Sequence, residues 1–164
     1  MAKMLAGLLG VVLCVLVWLP LPVQAASSSA IRPRQDIGIA EKNFRGQNLQ
    51  QAEFMDIHLE NADFGQADLR GVVFNGATVT GANFQGVDMT DGLAYLSDFT
   101  GANFTNAVLN AAIMLKSTFR DVVATGADFS DAVLEKDQIA LLCQSASGTK
   151  PVTGVETRES LGCP

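Results

Sequence analysis

The stretch 61-NADFGQADLRGVVFNGATVTGANFQ-85 places a large apolar residue at every fifth position: Phe64, Leu69, Phe74, Val79 and Phe84. Five residues of α-helix rotate through about 500°, so these groups would spiral around every side. On a continuous strand an odd period throws successive ones to opposite faces. Neither arrangement buries them together. The chain must turn a corner once per unit, so that each large side chain points at a common axis, and the result is a solenoid.

The same register extends far beyond this stretch. All nine phenylalanines, at 44, 54, 64, 74, 84, 99, 104, 119 and 129, leave the same remainder on division by five. Chance gives that roughly once in 400,000 trials, so the repeat sets the fold. Leu, Val, Met, Ala and Ile fill the remaining positions from Phe44 to Ile139 without insertion. Two residues earlier the side chain is small, mostly Ala, as a crowded interior demands. The residue between is mostly Asn, Asp or Thr and is expected to face solvent. Gly is frequent two after the large residue, where a corner needs positive φ or little bulk.

Units such as Ala62-Asp63-Phe64, Ala67-Asp68-Leu69, Ala82-Asn83-Phe84 and Ala102-Asn103-Phe104 resemble the A(D/N)LXX repeat of pentapeptide-repeat proteins. The resemblance implies an all-β solenoid, a right-handed quadrilateral β-helix of about five coils. The tail 143-CQSASGTKPVTGVETRESLGC-163 is similar to that of the thylakoid-lumen members of the family in cyanobacteria and chloroplasts. With four sides to a coil, residues 20 apart stack. One column is then a core ladder of Phe44, Phe64, Phe84 and Phe104, followed by Ala124.

The flanks divide the chain further. Met1 to Lys3 is a short basic start, Met4 to Val23 is almost wholly apolar, and Val23-Gln24-Ala25 offers small residues for cleavage. Residues 1–25 therefore read as a secretory signal peptide. An uncleaved membrane anchor is the other reading; Pro20 and Pro22 favour cleavage, after which no stable membrane insertion is expected. Cys14 follows Leu13 inside the apolar run, which argues against lipid attachment. Residues 26–38 read as a flexible segment and N-terminal cap, and 39–134 as the β-helix. Residues 135–164 read as a short C-terminal helical cap with an irregular tail. Helical character spans Ala132 to Ser145, with Val133, Leu134, Ile139, Leu141 and Leu142 on one apolar side. After cleavage Cys143 and Cys163 remain, an even pair that suggests a disulfide in an exported chain.

Chemistry is sparse. The mature chain keeps all 17 acids and 10 of 11 bases, a net charge of −7. That opposes non-specific binding to nucleic acid or an anionic membrane. His58 is the only histidine, no metal-ligand cluster stands out, and no phosphate loop or nucleophile elbow is present. No enzyme, metal or cofactor is expected. The weakest repeat is 91-DGLAYLSD-98, where a local bulge or corner distortion is expected.

One side stands apart. Around 54, 74, 94, 114 and 134, outward positions carry Val73, Leu93, Tyr95, Ile113 and Leu115, whereas other sides are polar. Such a patch marks a partner or lies under the chain's own terminal segment. The expectation is a non-catalytic exported protein of the thylakoid lumen or periplasm. It would dock an unidentified protein, for example part of a membrane complex, through this side. Two alternatives are a DNA-mimicking topoisomerase inhibitor, as some members of the resembled family are, and a lumenal enzyme or metal binder using His58.

Overall fold

The computed structural model describes residues 42–164. The signal peptide at 1–25, Cys14, the segment at 26–38 and the first residues of the β-helix assigned to 39–134 lie outside the described residues.

The chain is a right-handed quadrilateral β-helix of about five coils, closed at its C-terminal end by a short helix. Each side is a single parallel bridge to the coil 20 residues away. The four columns run Asn43↔Asp63↔Asn83↔Asn103↔Val123, Asn48↔Asp68↔Asp88↔Val108↔Asp128, Glu53↔Val73↔Leu93↔Ile113↔Val133 and His58↔Thr78↔Asp98↔Thr118. We call these sides one to four. Successive coils are joined by amide–carbonyl bonds on every side, such as Phe64 N to Asn83 O at 2.8 Å and Asn83 N to Ala62 O at 2.9 Å.

Corners recur every five residues, and the third corner residue is left-handed each time, from Gly46 at φ 66° to Asp131 at φ 57°. Most corners are also closed by a turn bond, for example Gln47 N to Phe44 O at 3.1 Å and Ala67 N to Phe64 O at 2.9 Å. A left-handed third residue with such a bond is the type II turn, which explains the recurring Gly.

The Asn and Asp of the outward slot do more than meet solvent. Their side-chain oxygens accept the amide two residues on: Gly65 N to Asp63 Oδ1 at 2.9 Å, Thr100 N to Asp98 Oδ1 at 2.9 Å, Thr105 N to Asn103 Oδ1 at 3.0 Å. Each outward Asn or Asp so placed caps its own corner. Where the second corner residue is Thr or Ser, its hydroxyl donates to the same oxygen, as Thr105 does to Asn103 at 2.6 Å.

The large side chains fill the axis. Phe64, Phe84 and Phe104 are fully buried and Phe44, at the first described coil, is half-buried. Their rings stack at 4.7 Å (Phe44–Phe64), 5.0 Å (Phe64–Phe84) and 4.9 Å (Phe84–Phe104). Phe54 and Phe74 come from the opposite side and meet this ladder edge-on, at 5.7 Å for Phe54–Phe64 and 5.5 Å for Phe64–Phe74. Burying each ring stabilises the fold by about 1.5–3 kcal/mol, and the offset and edge geometries add to that.

Three expectations differ from the structure. Ile139 is not a solenoid position, because the ladder ends at Val133 and Ile139 lies on α1 (Lys136–Leu142). The helix is also shorter than 132–145. Ala132 still closes the corner from Phe129 at 3.0 Å, Val133 still bonds to Ala112, and the Glu135 amide is capped by Gln138 Oε1 at 2.6 Å. Finally, no bulge interrupts the ladder at 91–98, and the expected distortion is confined to the corner at Ala94, which lacks the closing amide bond found at most corners. Leu93 pairs normally with Val73 and Ile113, and Asp91 and Leu96 take the ordinary left-handed corner conformation. Gly92 makes this possible, since a Cβ there would sit 2.7 Å from Met89 Cγ and 3.0 Å from Met89 O.

The tail after α1 returns along the last coils and includes a second short helix, α2 (Thr157–Ser160). Gly126 N donates to Ser147 O at 2.7 Å, Phe129 N to Ser160 Oγ at 3.1 Å, and Thr153 Oγ1 to Asp128 Oδ2 at 2.9 Å. Buried Lys150 donates to the carbonyl of Asn106. Cys143 and Cys163 are bonded as a disulfide that ties the tail end to the helix end.

Candidate docking surface

The apolar side is side three. Its ladder Val73, Leu93, Ile113 and Val133 holds four apolar residues one above another. The corner that follows adds Met55, Tyr95, Leu96 and Leu115. Leu93 and Ile113 are each 39 % exposed, Val133 44 %, Tyr95 47 % and Leu96 60 %, while Val73 and Leu115 are half-buried. The C-terminal tail does not cover this side, since its bonds go to Asn106, Val122, Gly126, Asp128 and Phe129.

Physical chemistry sets this side apart in two ways. No residue of the ladder is Asn or Asp, so its corners lack the side-chain caps of the other sides. Its corner carbonyls accept bonds from side chains further along the chain. The Ser97 hydroxyl donates to Phe74 O, the Ser117 hydroxyl to Ala94 O, and Gln138 Nε2 to Met114 O at 2.9 Å. In addition, the Tyr95 amide is held by Asn75 Oδ1 of the preceding coil at 3.0 Å.

Leu96 is the second anomaly. The third corner position elsewhere carries Gly, Asn, Asp, Gln, Lys or Ala, yet here a large apolar side chain stands at φ 57° and is mostly exposed. A left-handed L-residue costs about 1–2 kcal/mol. Neither the strain nor the exposure stabilises the fold. Val133, Met55 and Leu96 extend the patch beyond the five residues read from the sequence. The register placed Val133 correctly, but its apolar neighbours drew it into a helix.

The other candidates do not assemble into a site. His58 points to solvent in a column with Thr78, Asp98 and Thr118, with only Glu60 Oε1 near Nδ1 at 3.1 Å. Among the described residues no group of three His, Cys, Asp or Glu is placed to hold a metal ion. Several carboxylates are already engaged: Glu60 by Lys42 at 2.8 Å, and Asp68 by Arg70 at 2.6 Å. The Lys42 ammonium holds the Glu60 carboxyl down to about 2, and the Arg70 guanidinium does the same for Asp68.

The family model for pentapeptide repeats matches residues 43–76, 52–91 and 97–135, more than half of the chain. The match pauses at 92–96, the segment that carries Leu93, Tyr95 and Leu96. A thylakoid-lumen pentapeptide repeat protein from Arabidopsis thaliana is 36 % identical, over 73 % of this chain and 90 % of that one, with a TM-score of 0.38. The thylakoid lumenal protein TL20.3, chloroplastic, of Arabidopsis thaliana is 63 % identical over 38 residues, 23 % of this chain. That match spans only 14 % of the relative's length. QnrB1, a plasmid-mediated fluoroquinolone resistance protein, shares the fold at 20 % identity, over 56 % of this chain and 50 % of its own, with a TM-score of 0.51. With its repeats matched by that model over more than half of its length, the chain belongs to the pentapeptide repeat family.

Proposed function

We propose that this is a non-catalytic protein exported to the thylakoid lumen, where side three docks another protein. The observation that carries the reading is the ladder Val73–Leu93–Ile113–Val133 with Tyr95 and Leu96 beside it. It is a continuous exposed apolar strip on a prism whose other sides expose only isolated apolar residues such as Val123, and strips of this kind mark interaction sites. The lumenal relatives and the apolar leader of the sequence support the location.

The test is substitution on the strip. Leu93→Glu or Tyr95→Glu is expected to leave the cooperative unfolding intact and to weaken capture of the partner from lumenal extracts. Unfolding of either variant would mean that these residues belong to the core. The rival reading, an acidic prism imitating DNA, needs rows of free carboxylates. Pairing of Glu60, Asp63 and Asp68 with Lys42, Arg45 and Arg70 works against it.

A further inference from the structure

We infer that the occupant of side three is an amphipathic α-helix of a partner protein, with an apolar stripe flanked by lysine or arginine. The inference rests on the docking reading above and specifies the chemistry of the partner.

Backbone saturation excludes the commonest way of binding to a sheet. On side three every ladder amide and carbonyl is used between coils. Leu93 N donates to Val72 O at 2.8 Å while Leu93 O accepts from Phe74 N at 2.7 Å; Ile113 N donates to Gly92 O and Ile113 O accepts from Ala94 N, both at 2.8 Å. Val73 and Val133 are engaged in the same way. A partner strand laid on this side would find no main-chain partner and would bring unpaired groups of its own. A helix arrives with its backbone already satisfied and needs only side-chain contact.

Spacing agrees. Four rungs about 4.8 Å apart make a strip about 14 Å long. That is just under three helical turns of 5.4 Å pitch, so a slightly inclined helix sets one residue per turn on each rung. Tyr95 and Leu96 stand along one margin, where they would clasp the helix from the side.

Charge chooses the flanks. Asp91 and Asp131 occupy the vertex before side three, and Asp56 lies at the vertex after it; all are exposed, and none forms an ion pair among the described residues. The one lysine at the later vertex within the solenoid, Lys116, is taken by Glu135 at 2.8 Å. Arg70 at the earlier vertex is held by Asp68 at 2.6 Å, and Lys136, on α1 past the last rung, is exposed without an ion pair among the described residues. Three free acids against it leave the charge beside the strip negative, which favours a basic rim on the partner. A second copy of the mature chain would instead bring its own net charge of −7 to the contact.

Two experiments decide it. In the first, a photoreactive amino acid replaces Tyr95 in the full chain in its own cells, and the crosslinked peptide is sequenced. A basic amphipathic helical segment of another protein is the expected product. Capture of an extended or acidic segment, or of a second copy, overturns the helix inference while side three remains a contact surface. Failure to capture any chain overturns the docking reading and the inference with it. In the second, a peptide of about 20 residues with a leucine stripe and lysine flanks is titrated against the protein. It is compared with glutamate-flanked and leucine-scrambled versions. The lysine-flanked helix is expected to bind at least about tenfold tighter than either, and to lose that margin on Leu93→Glu. The Asp91→Asn/Asp131→Asn double variant is expected to narrow the lysine-over-glutamate preference several-fold. Equal binding of the three peptides, or an unchanged preference in the double variant, overturns the inference.

Discussion

The backbone amide of Ser97 donates to the hydroxyl of Ser117, one coil further along, at 3.0 Å, and that hydroxyl donates in turn to the carbonyl of Ala94. The corner at Ala94 has no closing amide bond, so the Ser117 hydroxyl bridges its two ends; at Met114, which also lacks one, the carbonyl accepts from Gln138 Nε2. Ser117→Ala would leave two buried backbone groups unpaired. Each such group costs about 1–3 kcal/mol, so a loss of about 2–6 kcal/mol is expected. Urea unfolding of the variant measures it, and Ser117→Thr, which restores the hydroxyl, should recover part of the loss.

Leu96 trades stability for surface. Leu96→Gly relieves the left-handed strain, and Leu96→Asn places there a residue that tolerates it. Either is expected to raise stability by about 1 kcal/mol in thermal unfolding. The same variants are expected to weaken capture of the partner. Stabilisation with capture unchanged would remove Leu96 from the contact.

Gly92 is required by its neighbour. Gly92→Ala drives a Cβ against Met89 and is expected to destabilise by about 1–3 kcal/mol, despite the lower entropy of the unfolded chain. Calorimetry of the single variant, and of the double variant with Met89→Ala, tests this. The double variant should lose less than the two single effects added together.

Acid acts through the surface pairs. Glu60 and Asp68 both titrate at about 2 in the folded chain, below the ordinary 4.5 and 3.8. Their contribution is complete above about pH 5 and is lost as the pH falls towards 2. Both groups face solvent, so the effect is small. Stability measured in urea should be level from neutral pH to about 5 and decline below it, less steeply in Arg70→Met. Lys150 has the same sense at the alkaline end, since its folded pKa is also depressed. Burial lowers its pKa, so its contribution rises as the pH climbs through the folded value towards 10.5.

The disulfide holds a tail rather than a core. Cys143→Ser is expected to cost about 3 kcal/mol, the value for a loop of this size. The change should concentrate where the tail meets the last coil. Hydrogen exchange should quicken at the amides of Gly126 and Phe129, bonded to Ser147 and Ser160, and stay slow at Phe64 and Phe84.

The coils were legible because the period of five has a single geometric solution. Phe64, Phe84 and Phe104 report it through their spacing alone. Side three was legible for the same reason, since residues 20 apart must share a side. Three features were not. Asp63 and Asn103 read as solvated polar residues, because their bond to the amide two positions on depends on the left-handed corner that follows. Ser97 and Ser117 read as small interior residues, because their partners lie 23 residues earlier in the chain. Val133 read as helical, because an apolar run of Val133, Leu134 and Ile139 fits both patterns and only Gln138 marks where the cap begins. The path of Lys150 to Asn106 carried no local signal, being a contact across 44 residues.

A quarter turn per five residues makes the chain an angular device as well as a stack. Insert one unit between Ser97 and Ala112, and everything beyond it rotates by a side: Ile113 and Val133 would leave Leu93 behind and face another direction, and the cap would swing with them. Insert four units, and the orientation is restored while the apolar strip grows by one rung. Changes in length within such a chain are therefore changes in aim unless they come in whole coils, and a partner that reads the strip would sense the difference.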